Sequence, residues 1–200
     1  MKLYYSPTSP FTRKVHIVLI EAGLMDRVEL VPADGWDPDA PLNQINPLSQ
    51  VPTLVLADGE VIYDSDVICD YLDGLHYVTP FIPTEQPARR SVLRMQALAN
   101  GIMAASIAVF VERKRDPEMQ SADWISFQQA AIGRGLDSLE ENIDLSIPFD
   151  LGSISAVCAL GHLDFRDTFG DWRTGRDTLT SWYAHLQERA SVKQTVPHLP

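Results

Sequence analysis

Three short motifs carry the residues best suited to chemistry in this chain. In Ser9-Pro10-Phe11, a serine precedes a proline that opens a stretch with helical periodicity. Serine is a favoured N-cap, and proline at the first helical position loses only an amide hydrogen that the helix would leave unpaired. Ser9 therefore stands where the helix dipole and free amides make the potential positive. Two roles fit that place: a plain cap, or a hydroxyl that donates to an anion such as a thiolate at the helix mouth. Val51-Pro52 comes directly before a strand pattern, where a proline is tolerated. It reads as an ordinary loop proline or, if its peptide bond is cis, as a device that leaves the amide and carbonyl of the preceding residue open to an extended ligand. Asp64-Ser65 opens another helical pattern, with Ser65 as a candidate N-cap whose amide and hydroxyl could hold a carboxylate.

The elements that must position these motifs follow from periodicity. Residues 2–5 and 28–31 read as strands, separated by a helix from Pro10 to Ala22 that Gly23 stops. Asp58-Gly59 joins two further strand patterns, 53–56 and 60–63, as a hairpin. Val67, Ile68, Tyr71, Leu72 and Leu75 mark the helix after it. With a short helical stretch near 40–46, residues 1–76 run β-α-β-α-β-β-α. The strand-helix-strand start implies a parallel pair, to which the hairpin adds antiparallel strands. Residues 77–86, with Pro80 and Pro83, read as a linker. In 87–200 strand signals almost vanish, and helical patterns cover 88–115, 121–145, about 153–167 and about 176–190. The fold class is thus an α/β domain followed by an all-α domain.

Composition excludes several classes. The 200 residues are 45% apolar and 22% charged, enough for a core without disulfides or metals. A formal net charge of −11 opposes nucleic-acid phosphates and anionic membranes, and the longest basic run is Arg113-Lys114-Arg115. Cys69 and Cys158 make no disulfide framework, which points to a reducing compartment. The start lacks a signal-peptide apolar region, and no apolar run approaches the roughly 18 residues of a membrane span, so a soluble cytoplasmic protein is expected. Cys158 and His162 share a helix face, but without a second pair of ligands no metal is assigned. The acidic stretch Asp137, Glu140, Glu141 and Asp144 reads as a solvated helix face. There is no Gly-rich dinucleotide or phosphate loop.

Taken together, SPTSPFTRKV at 6–15, NPLSQVPTL at 46–54, YDSDVICDYL at 63–72 and ALGHLDFR at 159–166 resemble the cytosolic glutathione S-transferases, most closely the bacterial serine-type or theta-like branch. The resemblance implies a thioredoxin-like N-terminal domain, a helical C-terminal domain, glutathione as co-substrate and a homodimer. It makes Ser9 the residue that hydrogen-bonds the glutathione sulfur. Val51, before the cis-proline Pro52, would pair its backbone with the cysteinyl portion. Asp64 and Ser65 would hold the γ-glutamyl end, Gln50 would stand near the glycyl carboxylate, and Phe11 and Arg13 would flank the site. A thiol near 8.5 is only a few per cent thiolate at pH 7. Lowering it by ~2 units, roughly 2.7 kcal/mol, makes the thiolate dominant, ready to attack a small hydrophobic electrophile. That electrophile would lie between Ser9 and the 88–115 helix, where Met103, Ile107 and Phe110 are candidates, although an apolar stripe at helical spacing more often packs as core.

Some positions depart from the family pattern. Serine stands at position 9 where omega-like members carry cysteine, which leaves no protein nucleophile there for disulfide exchange. Tyr5 ends the first strand and is the second candidate for the sulfur donor. Asn100 stands where an acid is expected, and Ser153 reads as the cap of the C-terminal domain's buried helix without an acidic partner. The same activated thiolate could also serve an isomerase, peroxidase or dehalogenase, and the fold could serve as a non-catalytic protein-binding module.

Overall fold

The structure, a computed structural model, describes residues 1–37, 39–75, 79–143 and 148–199. Strands β1 (Lys2–Tyr5), β2 (Glu29–Pro32), β3 (Thr53–Val55) and β4 (Val61–Ile62) form one sheet in the order β2-β1-β3-β4. β1 pairs parallel with β2, antiparallel with β3, and β3 antiparallel with β4. Helix α1 (Pro10–Glu21) crosses between the parallel strands, and α2 (Ser65–Asp73) follows the hairpin. The stretch near 40–46 forms only a 3-10 turn, Pro41–Gln44. This is the thioredoxin-like arrangement expected of the N-terminal half.

The register explains why the three motifs converge. Tyr4, near the end of β1, lies opposite Thr53, the first residue of β3, and Leu54 lies opposite Ile62, the last of β4. β1 therefore leaves the sheet, β3 enters it and β4 leaves it at the same end. Ser9, Val51-Pro52 and Asp64-Ser65 all sit in the segments just beyond that end.

The C-terminal half consists of helices α3 (Gln86–Glu112), α4 (Ala122–Asn142), α5 (Leu151–Arg166), α6 (Asp177–Gln187) and α7 (Ala190–Gln194). The pattern expected at about 176–190 is α6, and α7 is a further short helix beyond it. Helix α3 is long and apolar enough to meet the length and composition of a membrane span, contrary to the sequence expectation. Its apolar residues, among them Val92, Ala99, Ile102, Met103 and Val109, pack instead into the core. α5 is buried on every side, every residue from Leu151 to Leu163 included, which fits its mostly apolar sequence. Asp150, not Ser153, caps α5: its carboxylate accepts the Ser153 N–H at 2.8 Å. The helix accordingly starts two residues earlier than expected.

The expected linker is tightly held where it is described. The Asp73 carboxylate at the end of α2 accepts the N–H groups of Phe81 (2.7 Å) and Ile82 (3.0 Å), while the Leu151 N–H at the start of α5 donates to the Phe81 carbonyl. Both side chains are buried. Residues 76–78, where the first domain was expected to end and the linker to begin, lie outside the described residues, as do Asp144 and Leu145 at the end of the expected 121–145 helix.

Candidate functional site

Ser9 caps α1, with extended backbone and a side-chain oxygen that accepts the Thr12 N–H at 3.2 Å. An oxygen engaged as acceptor keeps its proton, and among the described residues the Ser9 hydroxyl donates to nothing. Pro10 is buried at the first helical position, and Phe11 beside it is half-buried, its ring 5.7 Å from the Lys14 ammonium. Tyr5 leans against His16, ring centroids 5.2 Å apart.

The Val51-Pro52 bond is cis. Among the described residues neither the N–H nor the C=O of Val51 has a hydrogen-bond partner. The preceding loop is fastened instead through Gln50, whose carbonyl accepts from the Asn46 amide (3.2 Å) and the Thr53 hydroxyl (2.8 Å). Asn46 also donates to Thr53, and both side chains are buried, so the loop is stiff while the Gln50 side chain stays exposed.

At the third motif the order of the caps differs from expectation. Asp64 is the N-cap of α2, accepting the Asp66 N–H at 3.0 Å, and Ser65 is the first helical residue. Both residue types cap well, and the backbone settles the choice by making Asp64 the last extended residue. Ser65 is 1% exposed, with its hydroxyl turned towards Asp66.

The strongest electrostatic feature was not anticipated. Lys14, in the second turn of α1, is completely buried. Its ammonium pairs with Asp66 and donates to the Asn100 carbonyl at 3.0 Å, while the Asn100 amide donates to both Asp66 oxygens at 3.0 and 2.8 Å. Burial pushes the Asp66 carboxyl up, but the Lys14 charge and hydrogen bonds from Lys14, Asn100 and Gln96 outweigh it and hold the group below its usual value. Asn100, where an acid was expected, thus works within its own chain and presents both a donor and an acceptor. The sequence signal was a lysine between Phe11 and Val18 on one helical face, the position of a core residue.

Arg13 does not flank the site. It is buried, donates to the Val192 carbonyl at 3.2 Å and reaches Thr195 at 3.4 Å, so it locks α1 to α7. Glu21 makes a second lock by accepting from Arg189 and Ser191. Met103 is fully buried and belongs to the core, whereas Ile107 and Phe110 are half-buried. Burial pushes the Cys69 thiol up to about 12 and the Cys158 thiol up to about 11, so neither is a nucleophile near neutral pH. His162 lies buried against the Ser106 hydroxyl, 2.9 Å from Nδ1, and packs the helical domain. Among the described residues no group of three or more His, Cys, Asp or Glu could hold a metal ion.

Known proteins share this architecture and order of motifs. Residues 8–75 match the N-terminal domain family of glutathione S-transferases. The uncharacterised GST-like protein YibF of Escherichia coli is 34% identical, over 98% of both chains. A glutathione transferase family member from Pseudomonas fluorescens Pf-5, crystallised with bound glutathione, is 42% identical over 99% of both chains, with a TM-score of 0.94. A crystal structure of a family member from the same organism with bound S-(propanoic acid)-glutathione is 40% identical over the whole of both chains, with a TM-score of 0.90. Likeness at this identity across the full length, on the same fold, places the chain in the glutathione S-transferase family.

Proposed function

We propose that this protein is a glutathione transferase in which Ser9 stabilises the thiolate of bound glutathione for attack on a small electrophile. The observation that carries the reading is the state of the Ser9 hydroxyl. Its oxygen takes the Thr12 N–H at 3.2 Å, which leaves the proton for a sulfur at the positive end of α1. The unpaired N–H and C=O of Val51, before the cis Pro52, would pair with the cysteinyl backbone. The Ser65 amide and hydroxyl, with Asp64, would take the γ-glutamyl end. Gln50, exposed beside them, would reach the glycyl carboxylate, and Phe11 would wall the site. Family members crystallised with glutathione and with S-(propanoic acid)-glutathione support this choice of ligand.

In the reaction the thiol proton leaves to solvent and the sulfur lone pair forms a C–S bond. The bond from that carbon to its leaving group breaks, and the leaving group departs with the electron pair. Ser9 keeps its own proton throughout and forms no covalent bond. Ile107 and Phe110 would face the apolar part of the electrophile. Detoxification in the cytoplasm by a homodimer completes the proposal. Light scattering should then give twice the 22.3-kDa chain mass.

Isothermal titration with glutathione tests the reading. Binding at micromolar to low-millimolar concentration, abolished by Ser65→Ala combined with Asp64→Ala, is expected. No binding at millimolar glutathione would leave a transferase fold reused for protein partners.

A further inference from the structure

Arg166, in the last turn of α5, is an unpartnered guanidinium. It lies over the Phe110 ring at 4.1 Å and over the Phe165 ring at 4.4 Å. Its Nε is buried with no hydrogen-bond partner, and none of its other N–H groups has one among the described residues. Neither has it a carboxylate partner there, although the chain carries 27 acidic residues against 16 Lys and Arg. Burial pulls its pKa down from the ordinary arginine value. The Lys114 ammonium stands over the same Phe110 ring at 4.6 Å, also without a carboxylate partner among the described residues. Two cations therefore share one phenyl ring, and among the described residues neither has a carboxylate partner. A half-buried charge with every donor open is costly unless something charged completes it.

The position fits a substrate group. Ile107 and Phe110, the half-buried residues on α3, belong to the face assigned to the electrophile. On α5, Gly161 abuts Arg13: a Cβ built there would lie 2.0 Å from the guanidinium. Arg166 is five residues further along, about 8 Å of helix, and Ser9 is four residues before Arg13 on α1, about 6 Å. Both offsets run the same way: α1 and α2 start from one end of the sheet, α2 runs from Asn100 on α3 back to Phe81 at the start of α5, and α5 keeps step with α3 from Ser106–His162 to Phe110–Arg166, so Arg166 and Ser9 lie towards the same end of the helices.

We propose that Arg166, supported by Lys114, binds a carboxylate on the group attached to the glutathione sulfur, so that the preferred electrophiles are small organic acids. The aromatic faces hold the guanidinium plane, and its open edge offers the paired donors that match the two oxygens of a carboxylate. Phe110 then has two tasks: it walls the electrophile site and orients Arg166. The proposal rests on the glutathione-binding reading above and adds the selectivity of the second substrate.

The experiment compares S-(2-carboxyethyl)glutathione with S-propylglutathione, a neutral analogue of similar length, by isothermal titration against the full chain. Wild type should bind the acid about tenfold more tightly, the scale of one charge-assisted bidentate contact. Arg166→Gln should remove that preference and leave the affinity for S-propylglutathione unchanged. Lys114→Gln, an exposed change that spares the packing, should weaken the preference about threefold. Equal binding of both conjugates by wild type overturns the proposal even if Arg166→Gln fails to fold. So does a preference that survives in a folded Arg166→Gln protein. If neither conjugate nor glutathione binds, the underlying reading fails as well. If glutathione and both conjugates bind alike, only the role of Arg166 fails.

Discussion

The fully buried ammonium of Lys14 on α1 is paired with the carboxylate of Asp66 in the first turn of α2. The pair joins the two helices whose N-termini carry Ser9 and Ser65, and Asn100 fastens both to α3. This ion pair, its ammonium fully buried and its carboxylate partly exposed, thereby ties the sulfur end of the candidate site to the γ-glutamyl end.

Its partners are unequal, and that makes a prediction. The Lys14 side chain is 0% exposed, whereas that of Asp66 is 41% exposed. Asp66→Leu strands an ammonium that water cannot reach and should cost on the order of 3 to 5 kcal/mol. Lys14→Met leaves a carboxylate that water can partly hydrate and should cost less. Urea unfolding of the two variants gives the order directly, and a larger loss for Lys14→Met would contradict it. In wild type the Asp66 carboxyl titrates below its ordinary value of 3.8, so its contribution is present above that pH and disappears as pH falls further.

Gly161 should not tolerate a side chain. A Cβ there would meet Arg13 Nη1 at 2.0 Å and the Tyr183 hydroxyl at 3.1 Å. Arg13 cannot swing away without giving up Val192 and Thr195. Gly161→Ala is expected to lose about 1 to 3 kcal/mol. Combining it with Arg13→Met should cost less than the sum of the two single changes. Additive losses in a denaturation cycle would show that the contact is not shared.

Stability should also fall in mild acid. Burial pushes His162 down to about 4, from 6.5 in the unfolded chain, with a smaller push from Arg166. Between those values the unfolded chain takes up a proton that the folded one refuses, so stability is full above about 6.5 and declines towards pH 4, by about 3 kcal/mol for this residue. His16, pushed to about 4 by burial, acts in the same sense. Unfolding free energies at pH 7.5 and 4.5 should differ less for His162→Asn than for wild type. An unchanged difference would place the linkage elsewhere.

The sequence carried the local grammar well. Strand alternation and helical spacing located the sheet and the main helices, because each element has one dominant burial pattern. Choices between neighbours of similar propensity were not legible: Asp64 against Ser65 and Asp150 against Ser153 differ only in which residue the backbone leaves extended. Ser9 was legible because Pro10 fixes the first helical position. The Lys14-Asp66-Asn100 cluster was hidden because its members lie 52 and 86 residues apart from Lys14 and only tertiary packing brings them together. α7 escaped because its five residues carry too little periodicity, and long-range bonds from Arg13 hold the chain there. Arg166 was not singled out because its surroundings, the rings of Phe110 and Phe165, meet only through packing of α5 against α3.

In the proposed site the Ser9 hydroxyl donates to the glutathione sulfur. Thiolate absorbance near ~240 nm, followed against pH for glutathione bound to wild type and to Ser9→Ala, measures it directly. Wild type should show a bound thiol titrating roughly 2 units below the free value of about 8.5, and Ser9→Ala should restore most of that difference. A bound thiol whose titration is the same in both proteins would contradict the account and move the donor to Tyr5 or to backbone amides.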